Sequence, residues 1–182
     1  GVLTADAHKG YSMPIGGCIA YKHHISPTGV GFDIGCGNKA VRTKIQAKDI
    51  NVSKVMDEIS RRISFGMGVP NNEQVDHPII KEIADFDLGE ISSMWQLAKS
   101  QLGTVGGGNH FVDLFKDEEG WLWIGVHFGS RGFGHKIASG FITLSQGKKF
   151  TDKANEGSMD SKPLLFETSS NIRIDYKYSM RL

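Results

Sequence analysis

Apolar positions recur along this chain at two different periods. Val52, Val55, Met56, Ile59 and Ile63 stand three or four residues apart and form one apolar stripe. That spacing predicts a helix over residues 51–65, with Gly66 just beyond its end. A second helix is expected from Glu90 to Leu102, stopped by Gly103, and a third from about Gly134 to Lys148. Shorter runs read as strands: Gly16 to Tyr21, Asn38 to Ile45, His110 to Phe115 and Trp121 to Phe128. The last two flank a turn at Asp117 to Gly120. Residues 66–89 carry glycines, prolines, asparagines and charges and read as a long loop. From Phe150 the chain is polar and poorly patterned until Ile174, where a helix toward Leu182 is expected. Hairpin-like strands and helices without βαβ alternation define an α+β class, with mixed or antiparallel sheets and flanking helices.

Bulk properties narrow the function classes. At 182 residues the chain can build one good core, or at most a domain and a half. No run approaches the ~18 apolar residues that span a bilayer. The opening Gly1-Val2-Leu3-Thr4-Ala5-Asp6 lacks the basic and apolar parts of a signal peptide. Two cysteines permit at most one disulfide, so a reduced, cytoplasmic setting without a membrane partner is expected. Cys18 lies in an apolar run and is expected as a small buried hydrophobe. The net charge of +1 supplies no overall field for nucleic acid, so any such surface must be local.

Glycine changes the picture. There are 23 glycines, about one residue in eight, against roughly 7% on average. They gather around chemically competent side chains instead of forming a linker. In Val30-Gly31-Phe32-Asp33-Ile34-Gly35-Cys36-Gly37-Asn38 a carboxylate and a thiol stand three residues apart. Glycines on both sides let the backbone turn tightly enough for both to reach one ion. Carboxylate suits hard ions and thiolate soft ones, so the pair is unusual. Three further clusters also set polar side chains beside glycine. They are Asp6-Ala7-His8-Lys9-Gly10, Asn109-His110 after three glycines, and His127 before Gly129-Ser130-Arg131-Gly132 and His135. Asp33, Cys36, His110 and His127 together offer one carboxylate, one thiolate and two imidazoles. Asp33 taken alone also suits an Asx turn, and His23, His24 and His77 read as ordinary core or surface residues. Gly106-Gly107-Gly108-Asn109, and Gly129 to Gly134 with Arg131, could present backbone N–H groups to phosphate oxygens.

At these clusters the sequence resembles the RtcB family of RNA-splicing ligases. The matching stretches are Asp6 to Tyr11 leading to Pro14-Ile15-Gly16-Gly17, and Val30 to Gly37. Further on come Gly103-Thr104-Val105-Gly106-Gly107-Gly108-Asn109-His110-Phe111 and Val126-His127-Phe128-Gly129-Ser130-Arg131-Gly132-Phe133-Gly134-His135. Strong resemblance covers roughly residues 4–43 and 103–138, and the rest is looser. The resemblance implies a single catalytic domain over residues 1–182 with the family's α+β architecture. It implies a ligase using GTP and two Mn²⁺ ions, in which a histidine takes up GMP as a phosphoramidate. RNA bearing a 2′,3′-cyclic phosphate or 3′-phosphate would then be joined to a 5′-hydroxyl end. By the same resemblance Cys36 would bridge the ions, with Asp33 and His110 on one side and His127 on the other. Asn109, His110, Phe111, Val112 and Asp113 would line the guanosine-phosphate site. Arg131, Lys136 and Arg42 are the candidates for RNA contacts, and the family admits a protein activator.

Two departures bear on these expectations. Asp113 stands where the family has glutamate. The family's nucleophilic histidine and a further metal-binding histidine lie in its C-terminal half, whereas His135 is the last histidine of this chain. The expectation is therefore a partial chain, without the family's N-terminal lead-in, that holds metal and nucleotide residues but no GMP-accepting histidine. The alternatives are a metal-dependent phosphoesterase using the same centre, or a non-ligating paralogue that binds nucleotide or RNA.

Overall fold

The computed structural model describes residues 1–154 and 161–182. In chain order its elements begin with strands β1 (Val2–His8), β2 (Ile15–Cys18) and β3 (His24–Ile25), then helix α1 (Pro27–Val30) and strand β4 (Gly37–Gln46). Helices α2 (Val52–Arg62), α3 (Ile79–Ala84), α4 (Gly89–Ser92) and α5 (Trp95–Gln101) follow. Strands β5 (Phe111–Lys116) and β6 (Trp121–Phe128), helix α6 (Arg131–Ser145), strand β7 (Phe166–Glu167) and helix α7 (Asn171–Ser179) complete the order. Every pairing between these strands is antiparallel, and the class is α+β as expected.

The chain contacts divide into two compact units. The first comprises residues 1–34, 88–91 and 134–182. Its strands form two small ribbons, β1 with β2 and β3 with β7. Its core is built from Ile34, Ile91, Ile137, Ala138, Phe141, Ile142, Phe166 and Tyr176. The Tyr176 ring meets Phe141 edge-on, with centroids 5.2 Å apart, and Phe166 at 6.0 Å. Helices α1 and α7 start at Ser26 and Ser170, whose hydroxyls accept from the backbone N–H three residues on.

The second unit comprises residues 35–87 and 92–133. Its centre is a three-stranded sheet in the order β4-β6-β5. Helix α2 starts at Asn51, whose Oδ1 accepts from Lys54 N at 3.0 Å. In its last turns Arg61 and Arg62 both reach Glu58, at 2.6 and 3.0 Å. Ile80, Ile83, Val105, Leu122 and Phe133 are buried here, with Ser64, Gln101 and Thr104 as buried polar partners.

Several expectations need correction. The loop expected over residues 66–89 contains the six-residue helix α3. The helix expected over 90–102 is two, α4 and α5, separated at Ser93 and Met94. Adjacent serines favour local side-chain bonds over helix continuation, which explains the break. Helix α6 begins at Arg131, ahead of the expected Gly134, because Gln101 Oε1 accepts from Gly132 N at 2.9 Å. A partner 31 residues away thus satisfies a donor at the helix start. Cys18 is exposed, not buried, since β2 belongs to a two-stranded ribbon in which three of its four residues face solvent. The apolar stripe of α2 is likewise no core face: none of the helix's residues is fully buried.

Candidate metal centre

The register of the β4-β6-β5 sheet determines which side chains converge. Both β4 and β5 run antiparallel to β6, so the starts of the outer strands meet the end of the central one. The pairs Gly37 with Phe128, Asn38 with His127 and Phe111 with His127 fix that alignment. Cys36 immediately precedes β4, His110 immediately precedes β5, and His127 is the penultimate residue of β6. Side chains far apart in the sequence are therefore delivered to one end of one sheet. Ligand atoms of Cys36, His110 and His127 all lie within 4.8 Å of one another.

Hydrogen bonds orient the two imidazoles. His127 Nδ1 lies 2.8 Å from Asn38 Oδ1, its neighbour across the strand pair. His110 Nδ1 lies 2.9 Å from the Val105 carbonyl oxygen. Both oxygens accept, so each Nδ1 carries the proton and each Nε2 keeps its lone pair. Cys36 Sγ lies 3.4 Å from His127 Nε2, within hydrogen-bond reach. The His110 and His127 rings meet nearly perpendicular, at 78° with centroids 5.1 Å apart. Phe111 stacks on His127 at 5.7 Å and holds the ring from the third strand.

The donor set fits a divalent transition ion: one sulfur and two imidazole Nε2 atoms, with both Nδ1–H groups anchored by oxygen acceptors. Cys36 is exposed and the two histidines are half-buried, so solvent ions have access. Asn38 and the Val105 carbonyl are supports that residue types alone do not assign. Strand alternation could have found Asn38, because two residues after a ligand-bearing position the chain returns to the same face.

The remaining candidates are distributed over both units. Asp33 belongs to the first unit, with Gly31 at φ +86° before it, as tight turning by glycine requires. His8 closes β1 in that unit, its Nδ1 2.8 Å from the Asp6 carbonyl oxygen. His135 is also there and stacks on Phe32 at 5.0 Å. In the second unit Asn109 and Asp113 are exposed, while Phe111 and Val112 are half-buried. Asp113 pairs with Gly125, one step along the same sheet face from the row of Phe111 and His127. Arg42 sits farther along the sheet, bound to Glu119 at 2.8 Å and Asp117 at 3.5 Å, with its guanidinium over Trp121. The Arg131 guanidinium turns into the protein, donating to Thr104 Oγ1 at 3.0 Å and the Gly66 carbonyl at 3.2 Å. No disulfide joins Cys18 and Cys36.

These features define an α+β protein with a thiol-and-imidazole cluster at a sheet end that could hold a metal ion. The sequence model described as tRNA-splicing ligase RtcB matches residues 2–90 and 82–182, and the chain belongs to the RtcB family. The match takes in the 44–102 stretch and the tail, beyond the four motif blocks. The chain is 31% identical to the tRNA-splicing ligase RtcB of Pyrobaculum aerophilum, over 81% of this chain and 40% of that protein. It is 33% identical to the RNA-splicing ligase RtcB of Escherichia coli, over 79% and 39%. Against RNA-splicing ligase RtcB homolog 2 of Entamoeba dispar the identity is 28%, over 76% and 36%. The chain thus spans about two fifths of the length of the curated relatives it matches. Among the described residues no helix is long and apolar enough to cross a membrane.

Proposed function

We propose that this chain forms the metal-holding part of an RNA ligase that joins 2′,3′-cyclic phosphate or 3′-phosphate ends to 5′-hydroxyl ends, using GTP and Mn²⁺. The observation that carries this reading is the convergence of Cys36, His110 and His127, in a chain of the RtcB family. Paired divalent ions, when bound, stabilise the attacking and leaving oxygens of an in-line phosphoryl displacement. The protein's own part is to hold donors and substrate in place. Cys36 and His127, brought together by the β4–β6 pairing, present sulfur and Nε2 side by side. His110 presents Nε2 from the third strand with its ring fixed by Val105. Asn109 and Asp113, exposed on either side of the His110–Phe111 step, are the groups that would meet a nucleotide. With the shorter Asp113 carboxylate, any such contact is made closer to the sheet than a glutamate would make it.

Metal content after dialysis against Mn²⁺ tests the centre directly. Wild-type chain is expected to retain Mn²⁺, and Cys36→Ala and His127→Ala to lose it. Unchanged metal in both variants would overturn the assignment. Incubation of the full-length product of the reading frame that encodes this chain with GTP, Mn²⁺ and RNA carrying the two end types then separates the chemistries. Joined RNA supports ligation. Conversion of the cyclic phosphate without joining points to a phosphoesterase, and binding without conversion to a non-ligating paralogue.

A further inference from the structure

We infer that Arg131 is a positioning residue for His110, acting through the backbone of residues 104–106. Arg131 has φ +54°, the one non-glycine residue in the left-handed region among those described. Such a conformation persists only where the surroundings enforce it. Here it turns the guanidinium onto two segments at once. Nε donates to Thr104 Oγ1 at 3.0 Å and Nη2 to the Gly66 carbonyl at 3.2 Å.

Those two segments are already zipped together. Val105 N donates to the Ser64 carbonyl at 3.1 Å, and Gly66 N to the Gly106 carbonyl at 2.7 Å. Arg131 therefore clips both sides of the pairing that flanks Val105. Gly106 completes the fit: a Cβ at that position would run into the Arg131 guanidinium, so only glycine lets the arginine lie there. A second attachment secures the arginine's own segment, because Gly132 N donates to Gln101 Oε1 at 2.9 Å. The Gln101 carbonyl also accepts from Thr104, through N at 3.1 Å and Oγ1 at 2.7 Å.

The output of this clip is the Val105 carbonyl, which accepts from His110 Nδ1 at 2.9 Å. Fixing that oxygen fixes both the tautomer and the direction of the His110 ring. It leaves Nε2 unprotonated and close to Cys36 and His127. Arg131 thus governs one donor of the triad without touching it. The His127 donor is held separately by Asn38.

Two readouts on the intact chain test this, and only the second rests on the metal reading above. Long-range ¹H–¹⁵N spectra of the histidine rings report tautomers without any metal. Wild type is expected to show His110 protonated at Nδ1. In Arg131→Lys, which cannot span Thr104 and Gly66 together, His110 is expected to become a tautomer mixture while His127 stays unchanged. Mn²⁺ affinity of R131K is expected to fall about 10-fold or more. The double variant with His110→Ala is expected to bind no more weakly than H110A alone. Thr104→Val removes the acceptor of Arg131 Nε and covers the case in which R131K does not fold. A His110 ring that keeps its tautomer in these variants would overturn the inference, as would additive losses of affinity.

Discussion

His127 Nδ1 and Asn38 Oδ1 stand 2.8 Å apart on directly opposed residues of β6 and β4. The bond makes Asn38 an outer support of the candidate metal centre, since it fixes which imidazole nitrogen faces Cys36. Removing such a support typically costs about 10–100-fold in metal affinity. Asn38→Ala is therefore expected to weaken Mn²⁺ binding by that factor, measured by titration calorimetry. Asn38→Asp keeps an oxygen acceptor and is expected to bind near the wild-type level. Equal weakening in both variants would show that the oxygen at this position is not what matters.

At the far end of the same sheet, Asp117 organises the β5–β6 turn. Its Oδ1 accepts from Trp121 N at 2.8 Å and Glu119 N at 3.1 Å, and its Oδ2 from Trp123 Nε1 at 2.8 Å. The Trp123 N–H is the main cause holding this carboxyl below its ordinary value of 3.8, with the Trp121 N–H and Arg42 adding to it. A lowered folded-state value stabilises the fold above pH 3.8, and the contribution is lost as pH falls through that lower value. Asp117→Ala is expected to lower Tm by a few degrees at neutral pH. Its melting point should also fall less steeply than wild type on acidification. Near-UV circular dichroism of Trp121 and Trp123 follows both effects.

How much of this is legible in the sequence follows from what each element depends on. Strand β6 spans Trp121–Phe128, matching its apolar pattern, because its hairpin turn is built from local residues, Asp117 to Gly120. Helix α6 starts earlier than its own pattern indicates because its start depends on Gln101, far away in the chain. The types of the candidate ligands can be read, and glycine-rich punctuation marks where they lie. Their convergence is expected only from the family resemblance and not from pattern or spacing, because it depends on pairing β4 with β6 across an intervening stretch that contains four α-helices. Non-local register of this kind leaves no mark on either strand alone. The Val105 carbonyl is hidden for the same reason, whereas strand alternation from Cys36 points to Asn38.

Ile91 is fully buried in the first unit, although the helix that carries it is four residues long. So short a helix has little stability of its own, and the side chain is what anchors it. Ile91→Ala is expected to destabilise the chain by about 2–5 kcal/mol, the range for truncating a fully buried aliphatic residue. Val52→Ala, at a position 54% exposed on α2, is expected to change stability by less than about 1 kcal/mol. Urea unfolding of both variants measures the contrast. Similar losses would mean that the α2 stripe is covered in solution.

Tyr176 offers a test of opposite sign. Its side chain is 1% exposed, and its Oη has no hydrogen-bond partner among the described residues. A buried hydroxyl without a partner costs stability that a phenyl ring does not. Tyr176→Phe is therefore expected to be neutral or stabilising by up to ~1 kcal/mol, because the packing on Phe141 and Phe166 is kept. Burial also pushes the phenol from 10.0 up to about 12. With the folded value raised, the unfolded chain loses this proton first. Stability from this group is thus full below pH 10.0 and declines as pH rises toward about 12. Denaturation midpoints of wild type should fall across that window, and those of Y176F should fall less. A Y176F variant clearly less stable at neutral pH would show that the hydroxyl is hydrogen-bonded after all.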